Sequence, residues 1–209
     1  MGRTAAHDHY QTLRKRILGG EIGVDTRLYE STLTGELGTS RTPIREALAM
    51  LEQDGIVERE PRGYRVRRRS TQEVLDYFDI RTALESAAAA SAAIRATELE
   101  RAQMIEILRR AGESEPVAAA HLHRDWHKAL IASSHNEALG EFVERAEVMI
   151  LLHEKPWPVS IAGTAQSQRE HLQILDAVLA RDAIAAQSLM SEHMARARDY
   201  QLQSLVDRH

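Results

Sequence analysis

The sequence predicts a mainly α-helical protein in two parts: three helices with a two-stranded β-hairpin, then an all-α bundle of about six helices. Three observations predict this. Apolar residues recur at helical spacing over most of the 209 residues. That spacing gives way to short β-like runs only around residues 56–67. Beyond Thr71 no strand pattern returns.

The first helix is expected over Asp8–Leu18, where Tyr10, Leu13 and Ile17 share a face and Gly19-Gly20 stops the run. A short helix follows over Ser31–Leu37, ended by Gly38, and a third over Thr42–Asp54, ended by Gly55. The third has an apolar face of Ile44, Ala47, Leu48 and Leu51. Pro43 suits its first turn, where backbone N–H groups lack intrahelical partners. Residues 56–59 and 64–67 read as strands around the turn Pro61-Arg62-Gly63. The charged joint Arg67-Arg68-Arg69-Ser70 sets the expected boundary between a domain of residues 1–69 and one of residues 70–209. Six helices are expected after it, at about 71–94, 97–111, 115–133, 137–153, 160–180 and 183–206. The Ala-rich stretch 86–96 is a good helix former, and Lys155-Pro156-Trp157-Pro158 is a break.

Composition narrows the function classes. With no cysteine, disulfide frameworks, thiolate metal sites and cysteine nucleophiles are excluded. No apolar run reaches the roughly 18 residues of a membrane span, and the N-terminus lacks a signal-peptide pattern, so a cytoplasmic protein with no membrane partner is expected. Charge is uneven. Through Ser70 there are 13 Lys/Arg against 10 Asp/Glu, and from Thr71 there are 14 against 21. A basic front on an acidic body points to a polyanionic partner for the front.

Two short helices joined through Gly38-Thr39-Ser40 and followed by a hairpin form a winged helix-turn-helix pattern. In that geometry the second helix enters the major groove N-terminal end first. Arg41 and Arg45, four apart, share a face away from Ile44, Leu48 and Leu51. Guanidiniums there can read guanine edges or grip phosphate, provided that neighbouring acids of the same chain leave them free. Ser40 and Thr42 add hydroxyls at the same helix start. Arg62 and Gly63, at the hairpin tip, are placed to reach minor groove or backbone.

The stretch LTGELGTSRTPIREALAML (33–51), followed by EQDGIVEREPRGYRV, resembles the GntR family of bacterial regulators, with S-R-T-P-x-R-E-A-L as its most specific part. The resemblance implies that Ser40, Arg41, Thr42, Arg45 and Gly63 contact an operator. Residues 23–28 depart from it, since the family usually has a Pro-Gly turn before the Leu. The remainder resembles the helical FCD domain of FadR-type members through FDIRTALE (78–85), DWHKALIASSHN (125–136), His171 and His193. Six helices in a short chain favour its VanR-like branch.

His123 and His127 stand four apart on an expected helix, so both rings can face one point, and His171 and His193 from two other helices would close a divalent-metal site. The family pattern is an Asp and three His, with the Asp four residues before the first His; here that position is His123, and Asp125 points elsewhere on the helix. Four neutral imidazoles favour zinc, nickel or copper over magnesium or calcium. His7, His9, His121, His135, His153 and His209 read as ordinary surface or core residues, and Trp126 as core. The resemblance suggests that Arg81 grips an anionic effector such as a carboxylate; an i, i+4 ion pair with Glu85 is the alternative. Asn136 is either a pocket residue or a helix cap.

The leading expectation is a regulator, usually a repressor in this family and not an enzyme, whose binding to a palindromic operator as a homodimer responds to a small organic acid. Either helix 71–94 or helix 137–153 would supply the dimer contact. Two other classes stand beside it. One is a metal-dependent hydrolase carrying a helix-turn-helix, although no His-Glu-x-x-His pattern occurs. The other is an architectural DNA binder without effector.

Overall fold

The computed structural model describes residues 4–153 and 161–206; the expected break at Lys155-Pro156-Trp157-Pro158 and His209 lie outside the described residues. The chain divides into two compact units. One comprises Met1–Tyr77 with Glu147–Pro156, the other Phe78–Ala146 with Trp157–His209.

The first unit opens with α1 (Ala5–Leu18), whose N-terminus is capped by the Thr4 hydroxyl accepting from the His7 N–H. Then come β1 (Arg27–Leu28), α2 (Glu30–Leu37), α3 (Arg41–Gln53), β2 (Val57–Glu60) and β3 (Gly63–Val66). Gly38 ends α2 at φ +61, the left-handed conformation that stops a helix and turns the chain into α3. The α3 face expected from sequence is buried: Ile44, Ala47, Leu48 and Leu51 are all fully covered. They pack with Leu13 and Ile17 of α1, Leu33 of α2, and Ile56, Tyr64 and Val66 of the hairpin. Each large apolar side chain so covered stabilises the unit by about 1.5–3 kcal/mol.

The sheet has three strands in the order β1-β3-β2, all antiparallel, where the sequence predicts two. Arg27 and Leu28 pair with Arg65 and Tyr64, and Asp25 N–H donates to the Val66 carbonyl. A two-residue strand is too short to show an alternating pattern, so tertiary pairing alone defines it.

The charged joint is also more structured than its composition suggests. Arg69 is buried, and its guanidinium donates to Glu73 at 2.8 Å, to the Gly55 carbonyl at 3.1 Å and to the Met149 sulfur at 2.9 Å. Met149, with Val148 and Leu152, belongs to the hydrophobic core of this unit. The Ser70 backbone N–H, helped by Arg69, pulls the Glu73 carboxyl down to about 2.

The second unit is entirely helical among the described residues. It holds most of α4 (Thr71–Arg95) and of α7 (Glu137–Leu151), with α5 (Glu98–Gly112), α6 (Pro116–Ala132), α8 (Ile161–Leu179) and α9 (Ala183–Val206). Thr97 and Glu100 form a reciprocal capping box that starts α5, and Pro116 takes the first position of α6. α5 packs on α6 and α8, while α8 packs on α6 and α9. Ala88, Ala89, Ala92 and Ala93 are fully buried, so the Ala-rich run is a packing surface as well as a helix former. The buried Arg101 donates to the carbonyls of Ala93, Ala96 and Leu179, satisfying oxygens at the ends of α4 and α8. No helix of the described residues is long and apolar enough to cross a membrane.

Candidate nucleic-acid interface and histidine centre

The tip of α3 is exposed. Ser40 is its N-cap in extended conformation, yet its hydroxyl makes no capping hydrogen bond, and Ser40, Arg41, Thr42 and Arg45 all face solvent. Their apolar neighbours on α3 are buried, which fixes the rotation of the helix and turns the arginine face outward. Arg62 is exposed at the hairpin turn and, among the described residues, makes no ion pair. The same is true of Arg41.

Arg45 departs from the expectation that both guanidiniums would be free of neighbouring acids. It holds Glu30 at the start of α2 with two hydrogen bonds, Nε to Oε1 and Nη2 to Oε2, both 3.1 Å. The Arg45 hydrogen bond lowers the Glu30 carboxyl against the opposing effect of its burial. The fold brings together residues 15 apart in sequence across a helix-turn-helix angle that spacing does not reveal. Arg45 remains 62% exposed, so the pair lies at the surface, where a phosphate can compete for the guanidinium.

Gly63 has a structural cause of its own. Its φ is +96, and a Cβ there would stand 2.5 Å from the Leu28 carbonyl oxygen of β1. The third strand therefore requires glycine at this position, whatever else approaches the turn.

In the second unit three imidazoles converge. The Nε2 atoms of His127 on α6, His171 on α8 and His193 on α9 stand 3.0, 3.1 and 3.3 Å apart around a triangle, and all three residues are buried. Burial, reinforced by the neighbouring histidines, holds the His171 imidazole well below its usual range; burial also lowers His193. Both rings therefore favour the neutral, ligating form.

Two carboxylates fix how these rings are protonated. His127 Nδ1 lies 2.6 Å from Glu85 Oε2, and His193 Nδ1 lies 2.6 Å from Glu170 Oε2. Burial raises the Glu85 carboxyl, but the charge of Arg81 and its contact with His127 outweigh that and bring it to about 2. Burial of Glu170 is likewise outweighed by His193, Arg196 and Gln166. Ionised carboxylates only accept, so Nδ1 of His127 and of His193 carries a proton, and in the neutral ring that leaves the Nε2 lone pair facing inward. With those two rings neutral, only His171 can place a proton among the three inward nitrogens. In that neutral state the 3.3 Å approach of His127 to His193 opposes two lone pairs, an arrangement that a cation relieves. Three imidazole nitrogens sharing one ion at about 2.0–2.1 Å stand about 3.0–3.4 Å apart, so the donor set fits a divalent metal.

The fourth expected ligand is placed differently. His123 Nε2 lies 2.8 Å from Gln168 Oε1, while the Gln168 amide nitrogen donates to the Leu108 carbonyl. That fixes the amide orientation and makes His123 Nε2 a donor. Its ring stacks edge-on to His171 at 4.8 Å, outside the group of three converging nitrogens. Arg81 forms the i, i+4 ion pair with the fully buried Glu85 at 2.5 Å. Asn136 is exposed, and its Oδ1 accepts from the Leu139 N–H at 3.2 Å, at the start of α7. Trp126 is fully buried and stacks on His171 with ring centroids 4.5 Å apart.

Sequence reasoning missed Glu170, Gln168 and Arg196, and saw in Glu85 only a partner for Arg81. These side chains act across helices, where no periodicity marks them. An open groove of about 640 Å³ lies elsewhere in this unit, lined by Asp79, Thr82 and Ser86 of α4 and Gln187, Ser188 and Ser191 of α9, with none of the histidines.

A winged-helix unit with an exposed arginine-bearing helix tip, followed in the chain by an all-helical unit, defines a helix-turn-helix transcription regulator. Residues 6–65 match the bacterial regulatory proteins of the gntR family and residues 76–196 match the FCD domain, so the chain belongs to the FadR-type GntR regulators. It is 29% identical over 200 residues to the HTH-type transcriptional repressor GlaR of Escherichia coli (strain K12), covering 90% of this chain and 91% of that one. It is 29% identical over 197 residues to the repressor RspR of the same strain, covering 88% and 83%. Among solved structures, E. coli McbR/YncC superposes with a TM-score of 0.79 at 22% identity, covering 98% of this chain and 100% of that one. Family and relatives are transcription regulators, not enzymes, which removes the metal-dependent hydrolase from consideration.

Proposed function

We propose that the protein is an effector-responsive repressor that binds a palindromic operator as a homodimer in the cytoplasm. Ser40, Arg41, Thr42 and Arg45 meet the major groove, and Arg62 and Gly63 approach the neighbouring backbone or minor groove. Residues 1–69 form the operator-binding part and residues 70–209 the effector-binding and dimerising part, with six helices favouring the VanR-like branch. The observation that carries the sensory half is the convergence of the His127, His171 and His193 Nε2 atoms within 3.3 Å of one another. An all-nitrogen donor set favours zinc or nickel, and such an ion would offer its remaining coordination positions to the carboxylate of a small organic acid. Two half-sites about one DNA turn apart demand a fixed spacing of the recognition helices, so a change of dimer geometry on effector binding lowers operator affinity.

Gel-shift titration on the promoter of the protein's own gene tests the first half, and elemental analysis followed by a thermal-shift screen of small carboxylic acids tests the second. Operator binding unchanged by Arg41→Ala and Arg45→Ala together would refute the DNA contact. Protein that purifies and dialyses free of zinc and nickel, with no acid raising its melting temperature, would leave an architectural DNA binder.

A further inference from the structure

The histidine centre is flanked by two chains of the same composition. Arg81 lies 2.5 Å from Glu85 Oε1, while Glu85 Oε2 meets His127 Nδ1 at 2.6 Å. On the other side Arg196 donates to Glu170 Oε1 at 2.5 Å, while Glu170 Oε2 meets His193 Nδ1 at 2.6 Å. Each glutamate thus uses one oxygen for an arginine and the other for a ring nitrogen. Gln166 adds a further hydrogen bond to Glu170 Oε1. Glu85 and Glu170 are buried, so water does not replace them as the partner of either ring. His171, by contrast, has no such chain: its Nδ1 is buried without a hydrogen-bond partner among the described residues, and Trp126 fixes the plane of its ring.

We propose that Arg81–Glu85–His127 and Arg196–Glu170–His193 are paired positioning relays, which lock both histidines as Nδ1–H tautomers and aim both Nε2 lone pairs at the point shared with His171. The arginines orient the carboxylates, and the carboxylates orient the rings. Arg81 is then a positioning residue of the centre rather than a group that binds effector. This rests on the metal reading above and adds to it the residues that set ligand geometry. Partners of ligating histidines govern metal affinity nearly as strongly as the ligands themselves.

Two measurements test it. The first is long-range ¹H–¹⁵N correlation NMR of the metal-free wild-type protein, which distinguishes the two neutral imidazole tautomers. His127 and His193 are expected as Nδ1–H; Nε2–H at either overturns its relay, whether or not the protein binds metal. The second is competitive titration with Zn(II) and with Ni(II) of the full-length wild type, Glu85→Gln and Glu170→Gln, with exposed Glu141→Gln on α7 as control. Each relay variant is expected to lose about 10–100-fold in metal affinity while the control stays at the wild-type value. Affinity within twofold of wild type in both relay variants overturns the proposal. Arg196→Met, at a half-exposed site, supplies a variant that spares the buried glutamate, and a smaller loss is expected of it. A wild-type protein that takes up neither ion refutes the metal reading itself, and the NMR result then stands alone for the relays.

Discussion

Gly63→Ala separates the two roles that the hairpin turn presents. At φ +96 an alanine is strained by about 1–3 kcal/mol. Its Cβ would also meet the Leu28 carbonyl oxygen at 2.5 Å and Tyr29 Cδ1 at 3.4 Å. Leu28 cannot retreat without loosening its pairing with Tyr64, because that carbonyl is backbone of β1. Strain and lost pairing together destabilise the winged-helix unit by about 2–4 kcal/mol, or about 10–20 °C in melting temperature for a unit of this size. Differential scanning calorimetry reads the shift, and hydrogen exchange at Tyr64 and Val66 locates it. Arg62→Ala, next in sequence but exposed, is expected to melt within about 2 °C of wild type. A Gly63→Ala protein that also melts within about 2 °C of wild type, with protected β3 amides, would refute the account of the third strand. The glycine would then be needed for DNA approach alone.

Three further outcomes follow from the structure. Arg41→Ala and Arg45→Ala each lower the slope of log operator affinity against log salt by about 0.9 if each guanidinium neutralises one phosphate; a slope unchanged in both, measured by gel shift at several salt concentrations, contradicts the contact. Glu73 is depressed to about 2 from 4.5, so the stability it contributes is complete above pH 4.5 and is lost as pH falls from there toward 2. Glu73→Gln is therefore expected to flatten the fall in melting temperature across that window, and a parallel fall in wild type and variant would show that the Ser70 and Arg69 contacts contribute nothing. Trp126 stacks on His171, so in a Trp157→Phe background, where it is the remaining one of two tryptophans, Zn(II) changes its emission; metal uptake measured by another route with no change in emission would place the ion away from His171.

Much of the local structure was legible because it depends on spacing along a single helix. The buried face of α3 is written in Ile44, Ala47, Leu48 and Leu51, and the outward face in Arg41 and Arg45. The glycine stops at Gly38 and Gly55 fall where positive φ ends each helix. What went unread depends on separate elements meeting. Arg27 and Leu28 become a strand only because β3 lies beside them. Glu30 reaches Arg45 only because α2 and α3 cross at the turn. His123 and His127 share a helix face, yet Gln168 of α8 takes the first and Glu85 of α4 aligns the second.

The sequence by itself determined the helices, the hairpin and the exposed arginines, since periodicity, turn residues and charge are local properties of the chain; it offered four histidines, and the fold brings three of them together. Tertiary structure alone decided the third strand, the engagement of Arg45 by Glu30 and the protonation pattern at the histidine centre. Those features rest on hydrogen bonds between groups 15 to 42 residues apart in sequence, and only a folded chain sets such distances.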